Sequence, residues 1–411
     1  MTKPIDIKVK PKYAMKLKKG YPLIEKEAID HKKLLGDEGR LLKLVDERNT
    51  FIGIGYYGLQ NKGIGWVISQ KENEIINKAF FARKFQEAFE KRKALFADND
   101  TTAFRVFNGE GDGLGGITID YYDGFYMIQW YSKGIYCFRE AIVDALCDSV
   151  DYKGIYEKKR FDQKGQYVED DDFVTGERGT FPLIVKENGV NFAVYLNDGA
   201  MTGIFLDQRE VRKAIRTRYS KGAEVLNMFS YTGAFSVNAA LGGATMTTSV
   251  DVANRSRSKT LEQFAVNEVD GEKQQIVVDD VFQYFKYAAR KGRVFDLVVL
   301  DPPSFAKTKK RTFSAAKDYT QLLQETIEIT KNDGVIVAST NSSAFDMRRF
   351  KQFIQAACKE TKTDYTILEE YRLPDDFQTT KLFPEGNYLK VVFIKIHSIV
   401  EMSVKPAFTV F

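Results

Sequence analysis

A chain of 411 residues, 44% hydrophobic and 28% charged with a net charge of +5, has the length for two or three domains, each with its own core. No apolar run approaches the ~20 residues that span a bilayer, and Met1-Thr2-Lys3-Pro4 lacks the apolar stretch of a signal peptide, so a cytoplasmic protein without a membrane partner is expected. Cys137, Cys147 and Cys358 stand apart without metal-type spacing, and only His31 and His397 occur, both expected to be structural; no metal is assigned.

The first 72 residues carry 15 Lys/Arg against 9 Asp/Glu, a surplus larger than that of the whole chain. Lys8, Lys10, Lys12, Lys16 and Lys18 lie in its basic stretch, with Tyr13 and Tyr21 nearby, which suits either a polyanion or a solvated face. Short apolar pieces at 5–9, 40–45, 51–56 and 65–68, separated by glycines, predict a small β-rich module, plausibly a pseudo-barrel. The order of a basic stretch, then Leu-Leu-Lys-Leu-Val, then Gly-Ile-Gly-Tyr-Tyr, resembles a PUA domain, an RNA-binding module, over residues 1–72.

Residues 74–97 have apolar positions at helical spacing. A glycine-rich turn, Gly109-Glu110-Gly111-Asp112-Gly113, follows between alternating stretches that predict a hairpin continued by 125–130. A helix over 135–147 and strands near 154–158 and 181–187 complete a mixed α+β central domain over 73–189, expected to be a platform without catalytic residues.

From Val190 to the end at 411, strands alternate with helices, the pattern of a doubly wound α/β sheet. Strands are expected at 224–228, 245–251, 274–279, 294–300 and 334–339, with an antiparallel pair at 365–373 and 388–396 that departs from a dinucleotide fold. Asn227-Met228-Phe229-Ser230-Tyr231-Thr232-Gly233 reads as strand, tight loop and helix start; without Gly-x-Gly-x-x-Gly or a phosphate lysine it suits S-adenosylmethionine better than a dinucleotide. Asp251, placed to accept from ribose hydroxyls, Asp280, placed for an adenine amino group, and Asp301 end successive strands and therefore share one rim. Asp301-Pro302-Pro303-Ser304-Phe305 leaves the fourth strand as a stiff loop, because two prolines remove ladder donors and force an extended residue before them. Such loops hold flat targets beside a methyl donor in nucleic-acid and amino methyltransferases.

Together with Gly109–Leu114, Thr202–Arg209 and Phe383-Pro384-Glu385-Gly386-Asn387-Tyr388-Leu389-Lys390, these stretches run in family order over nearly the whole chain. The chain resembles the bacterial PUA-domain large-subunit ribosomal RNA methyltransferases, whose best-known activity is cytosine C5 methylation. The resemblance implies a Rossmann-like methyltransferase domain, S-adenosylmethionine as cofactor, large-subunit ribosomal RNA as partner, often a homodimer, and Gln208, Arg209 and the 229–233 loop around the methionine tail. The fork of Arg209 could pair with the methionine carboxylate.

Two departures bear on the chemistry. Ser339-Thr340-Asn341-Ser342-Ser343 stands where the cytosine C5 enzymes have Ser-Cys-Ser, and Asp375-Asp376-Phe377 where many relatives have Asp-His-Pro. Cytosine C5 reacts only after a thiolate adds at C6, whereas guanine N7 has a free lone pair and no proton to lose. With no cysteine in either target loop, guanine N7 is the expected acceptor, with Asp301 and Asn341 on the base edge and Phe305 stacked on the ring. Asn341, followed by Phe345-Asp346-Met347, also resembles a guanine N7 ribosomal RNA methyltransferase domain. Lys307, Lys309, Lys310 and Arg311 would follow the RNA backbone. Cytosine C5 methylation and a non-catalytic RNA-binding assembly factor are the alternatives.

Overall fold

The structure is a computed structural model that describes residues 3–30, 35–60, 63–161, 172–199, 201–307 and 312–397. The chain forms two compact units, residues 1–210 with 373–388, and residues 211–372 with 389–411. The second unit lends a segment of sixteen residues to the first. Among the described residues no helix is long and apolar enough to cross a membrane.

In the first unit, the amino-terminal sheet has the order Ile5–Lys8, Leu41–Val45, Phe51–Tyr57, Gly63–Ser69, Leu23–Glu25. Its first pair is parallel and the others antiparallel. The basic stretch forms a helix, Pro11–Lys18, which the strand pattern did not reveal; Pro11 at its start has no amide to waste there. A second sheet, Phe173–Gly176, Gly154–Lys159, Phe125–Trp130, Ile117–Tyr122, Ala103–Asn108, packs with helices Lys78–Glu90 and Arg139–Ser149. One continuous apolar core runs from Ile7 through Tyr56, Phe85 and Trp130 to Ile155. The β-rich module and the central segment thus share a core, where separate domains 1–72 and 73–189 were expected. Strand Val190–Val194 pairs back onto Leu183–Glu187 through Asn188 and Gly189, so the expected boundary at 190 falls at a hairpin turn.

The segment 373–388 is tied into this unit by arginines. Asp376, 1% exposed, accepts from both terminal nitrogens of Arg209, at 2.6 and 3.2 Å, and from the amide of Arg105 at 2.9 Å. Its carbonyl accepts from Arg92, whose guanidinium also forks onto Asp112 at 2.7 and 3.1 Å. Arg105 lies 4.4 Å from the centre of the Phe377 ring. Gly111 is required where the segment passes, because a Cβ there would lie 1.8 Å from the Gln378 carbonyl oxygen. The Asp-Asp-Phe departure now has a physical account: an acid and an aromatic ring answer arginines placed far away in sequence.

The second unit is a seven-stranded sheet. In chain order its strands are β1 Glu224–Met228, β2 Met246–Asp251, β3 Gln275–Val278, β4 Phe295–Leu300, β5 Thr330–Thr340, β6 Asp364–Tyr371 and β7 Lys390–His397. Their spatial order is β3-β2-β1-β4-β5-β7-β6. The four pairings from β3 to β5 are parallel, and β7 runs antiparallel between β5 and β6. The order reverses between β1 and β4, the switch point at which open α/β sheets bind ligands. Leu300, Val298, Phe350 and Ile394 belong to a core that buries one face of the sheet.

Candidate active site

Strand register builds the rim. Met228 lies opposite Val250 and Leu300, Asp251 opposite Val278, and Leu300 opposite Ala338. At the next level come Phe229, Asp251, Val278, Asp301 and Ser339, with Asp280 two positions beyond Val278, so Asp251, Asp280 and Asp301 stand at or just past strand ends along one edge of the sheet.

The loop after β1 is held in a costly shape. Phe229, Tyr231 and Gly233 all have positive φ, of 60°, 52° and 77°, and for the two aromatic residues this costs about 1–3 kcal/mol each. Gly233 is obligatory, because a Cβ would lie 2.5 Å from the Thr260 methyl. The loop is pinned by the Ser230 amide on the Val250 carbonyl at 3.0 Å and by the Tyr231 amide on Asp251 Oδ2 at 2.8 Å. Asp251 Oδ1 accepts from the Ala253 amide at 2.9 Å, and each carboxylate oxygen keeps a second lone pair for a ligand hydroxyl. Under the loop, Asn227 donates to Ser236, yet its buried Oδ1 has no partner. Asp280 caps helix Val281–Arg290 through Oδ1, 2.9 Å from the Phe282 amide. Val252 and Val278 expose apolar surface, 61% and 37%, beside Asp251. A flat apolar ring with a polyhydroxyl arm fits this combination, as an adenosyl group would. Sequence reasoning passed over Val252, for which the signal was an apolar residue directly after a strand-ending acid. Replacing Asp251 by alanine should weaken S-adenosylmethionine binding by about 1–3 kcal/mol, read by calorimetry; unchanged affinity would refute this assignment.

The second half of the rim carries the target loops. Asp301 Oδ1 accepts from the Ser339 hydroxyl at 2.8 Å. Tyr319 donates to the Ser339 carbonyl at 2.5 Å, and burial with the Asp301 charge holds its hydroxyl well above the usual range, so it remains a donor. Ser304 donates to Asn341 Oδ1 at 2.6 Å, which turns the Asn341 amide group outward as a two-proton donor. Pro302 is buried and Pro303 exposed. Phe305, 62% exposed, opens a small hairpin, Phe305–Lys307 with Thr312–Ser314, that the sequence did not reveal. Lys390, opposite Thr340 across β5 and β7, is buried, and that burial, with Arg372 adding, pushes its ammonium down to about 8.

Gln208 and Arg209 belong to the first unit, where the Arg209 fork pairs with Asp376. Of the amino-terminal lysines, Lys10, Lys16 and Lys18 pair with Asp30, Glu25 and Asp46, while Lys8 and Lys12 have no acidic partner among the described residues. Surface pairs of this kind are worth about 0–1 kcal/mol, so they do not prevent a phosphate from competing. Lys309, Lys310, Arg311, the side chain of Lys307, and His31 lie outside the described residues. His397 is on β7, against Thr366 and Asp333.

Cys358 is placed away from the strand-end rim. Cys358 is buried on helix Met347–Glu360, eleven residues beyond its rim-side start, or about 16 Å along the axis. Burial pushes its thiol up to about 11. Cys137 and Cys147 are in the first unit.

The S-adenosylmethionine-dependent methyltransferase profile matches residues 162–379, and a PUA-like domain profile matches residues 7–70. The chain is 64% identical, over 94% of its length and 98% of the relative's, to YwbD of Bacillus subtilis, provisionally named a ribosomal RNA large subunit methyltransferase. It is 31% identical, over 87% of its length and 91% of the relative's, to ribosomal RNA large subunit methyltransferase I of Yersinia pseudotuberculosis. Among solved structures, a methyltransferase complexed with SAH superposes with a TM-score of 0.88 at 40% identity, covering 95% of this chain and all of the other.

Proposed function

Because the chain belongs to the S-adenosylmethionine-dependent methyltransferase family, we propose that it methylates a base of large-subunit ribosomal RNA without a cysteine nucleophile, at guanine N7. Two relatives that it matches over most of their length are named for activity on that RNA. The cofactor supplies a methyl already activated on a sulfonium, so the enzyme's own task is to hold the acceptor in line. Asn227, the 229–233 loop, Asp251 and Asp280 are the proposed cofactor residues. Asp301, Phe305 and Asn341 are proposed for the base: an acceptor for the guanine N1–H and amino group, a stacking face, and a donor for O6.

The observation that carries the choice of base is the position of Cys358. A thiol buried in the core of the sheet, with its pKa raised to about 11, cannot add to a cytosine ring, and serine or threonine is a poor substitute at neutral pH. RNA carrying 5-fluorocytosine traps enzymes that work through such an adduct. No covalent complex should form with this protein, and Cys358→Ser should retain full methyl transfer. A stable adduct lost in Cys358→Ser would end the proposal.

A further inference from the structure

The first unit holds a cavity of about 470 Å³ that the rim chemistry does not use. Its walls are the last strand of the PUA-like module at Val67 and Ile68, Lys71 just after it, helix Lys78–Glu90 at Lys84, the glycine-rich turn at Glu110, and Leu382. Two part-buried ionisable groups line it, neither paired with an opposite charge among the described residues; the Lys84 ammonium lies 5.8 Å from the centre of the Phe80 ring. Lys84 makes no hydrogen bond or ion pair among the described residues, although Glu87 and Glu74 lie within electrostatic reach and burial lowers its pKa. Its ammonium sits so close to the turn that a Cβ at Gly113 would be 2.9 Å away. The Glu110 carboxyl accepts from its own backbone amide; burial pushes it up to about 7, against that hydrogen bond and the nearby charge of Arg105 and with the charges of Asp112 and Glu385.

The remaining charges of the wall are arranged differently. Arg83 is taken by Glu74 at 2.8 Å, and Glu74 is also within 3.3 Å of Ser69. Lys71 is exposed and pairs with no acid among the described residues. A polar group taken from water without a partner costs free energy that a ligand can return. Here the missing partners are an anion for Lys84 and Lys71 and a neutral donor–acceptor edge for Glu110. A carboxyl group that keeps its proton near neutrality presents O–H beside C=O, which matches a nucleobase edge better than it matches a cation. Leu382, 49% exposed, offers an apolar face, and the volume lies in the range of small-ligand sites, about 300–1,000 Å³.

We infer that this cavity is a subsite for one nucleotide of the RNA strand, with its phosphate on Lys84 and Lys71, its base edge on Glu110 and its ring against Leu382. The inference rests on the reading of RNA as the substrate and adds where a second nucleotide is gripped. Lysine and a carboxyl group in one cavity also suit a free nucleotide, and the test separates the two sources.

Binding of a large-subunit ribosomal RNA transcript to the full chain is measured by filter retention, without turnover. Lys84→Ala and Glu110→Ala should each raise Kd about tenfold, the loss of one charged or buried hydrogen bond. Lys84→Arg and Glu110→Gln, which keep the charge and the donor–acceptor pair, should bind as the parent does. S-adenosylmethionine titration and the denaturation midpoint read by fluorescence of Trp66 and Trp130 should be unchanged in all four, which shows that both units are intact. In methyl transfer the alanine variants should raise KM for RNA and leave kcat alone. Unchanged RNA affinity in both alanine variants overturns the inference. So does Lys84-dependent binding of guanosine 5′-monophosphate with Lys84-independent binding of RNA, which would make the ligand a free nucleotide. A parent protein that binds RNA through Lys84 yet methylates none would refute the proposed reaction and leave the subsite standing.

Discussion

Replacing Asp301 by asparagine should lower kcat for methyl transfer about a hundredfold or more, the usual effect of losing alignment at a reacting centre, while S-adenosylmethionine affinity stays within about threefold. The substitution is isosteric, and asparagine can still accept from the Ser339 hydroxyl that fixes the carboxylate now. What it loses is an anionic acceptor at the first position of the Pro-Pro loop, where a base would present its N–H groups. Tyr319 continues to brace the Ser339 carbonyl, so the loop itself should survive. Single-turnover rates with saturating RNA and cofactor decide the matter. An unchanged rate would mean that Asp301 only shapes the strand end.

The second large effect concerns stability. Asp376→Ala should destabilise the first unit by about 3–5 kcal/mol, the cost of removing one partner from a buried ion pair. Arg209 would be left with both terminal nitrogens unmatched, and the Arg105 amide would lose its acceptor. Arg92 would be touched less, because it holds the carbonyl of residue 376 and forks onto Asp112 independently. Chemical denaturation followed by tryptophan fluorescence reads the change, since Trp66 and Trp130 both lie in this unit's core. A shift below about 1 kcal/mol, the size of a surface pair, would show that the arginines find other partners.

Much of the methyltransferase sheet was legible in the sequence because its strands are buried on a regular pattern. Glu224–Met228 matches the expected span, β2 and β4 differ from theirs by one residue at the start, and β3 by one residue at each end. The acids at 251, 280 and 301 could be read as one rim because each stands at or within two residues of the end of a strand-like run, and the parallel strands end at one edge of the sheet. The five-residue Pro-Pro loop announced itself through two residues that cannot pair in a sheet. By contrast, helix Pro11–Lys18 was hidden by lysines, only Ala14 and Leu17 being buried. The shared core of the first unit could not be foreseen, because short strands with glycine turns look the same alone or packed on a neighbour. Asp376 was the largest omission. Its partners Arg92, Arg105 and Arg209 lie 284, 271 and 167 positions away, so no local pattern marks it. The same holds for Arg209, whose pairing with Asp376 no local pattern marks.

The shared core also changes how the amino-terminal module can be tested. Removing residues 1–72 would uncover Phe81, Phe85 and Phe107, which pack in the same cluster as Ile24, Leu42 and Tyr56. A truncation would therefore confuse lost folding with lost RNA contacts, whereas single substitutions at exposed lysines keep the two apart.

The central claim is base methylation of large-subunit ribosomal RNA without a cysteine adduct, and nucleoside mass spectrometry of that RNA from cells with and without the gene tests it most directly. The account predicts that 7-methylguanosine falls by one residue per large subunit in the deletion strain, returns with the intact gene and does not return with Asp301→Asn. Loss of 5-methylcytidine with 7-methylguanosine unchanged would contradict it.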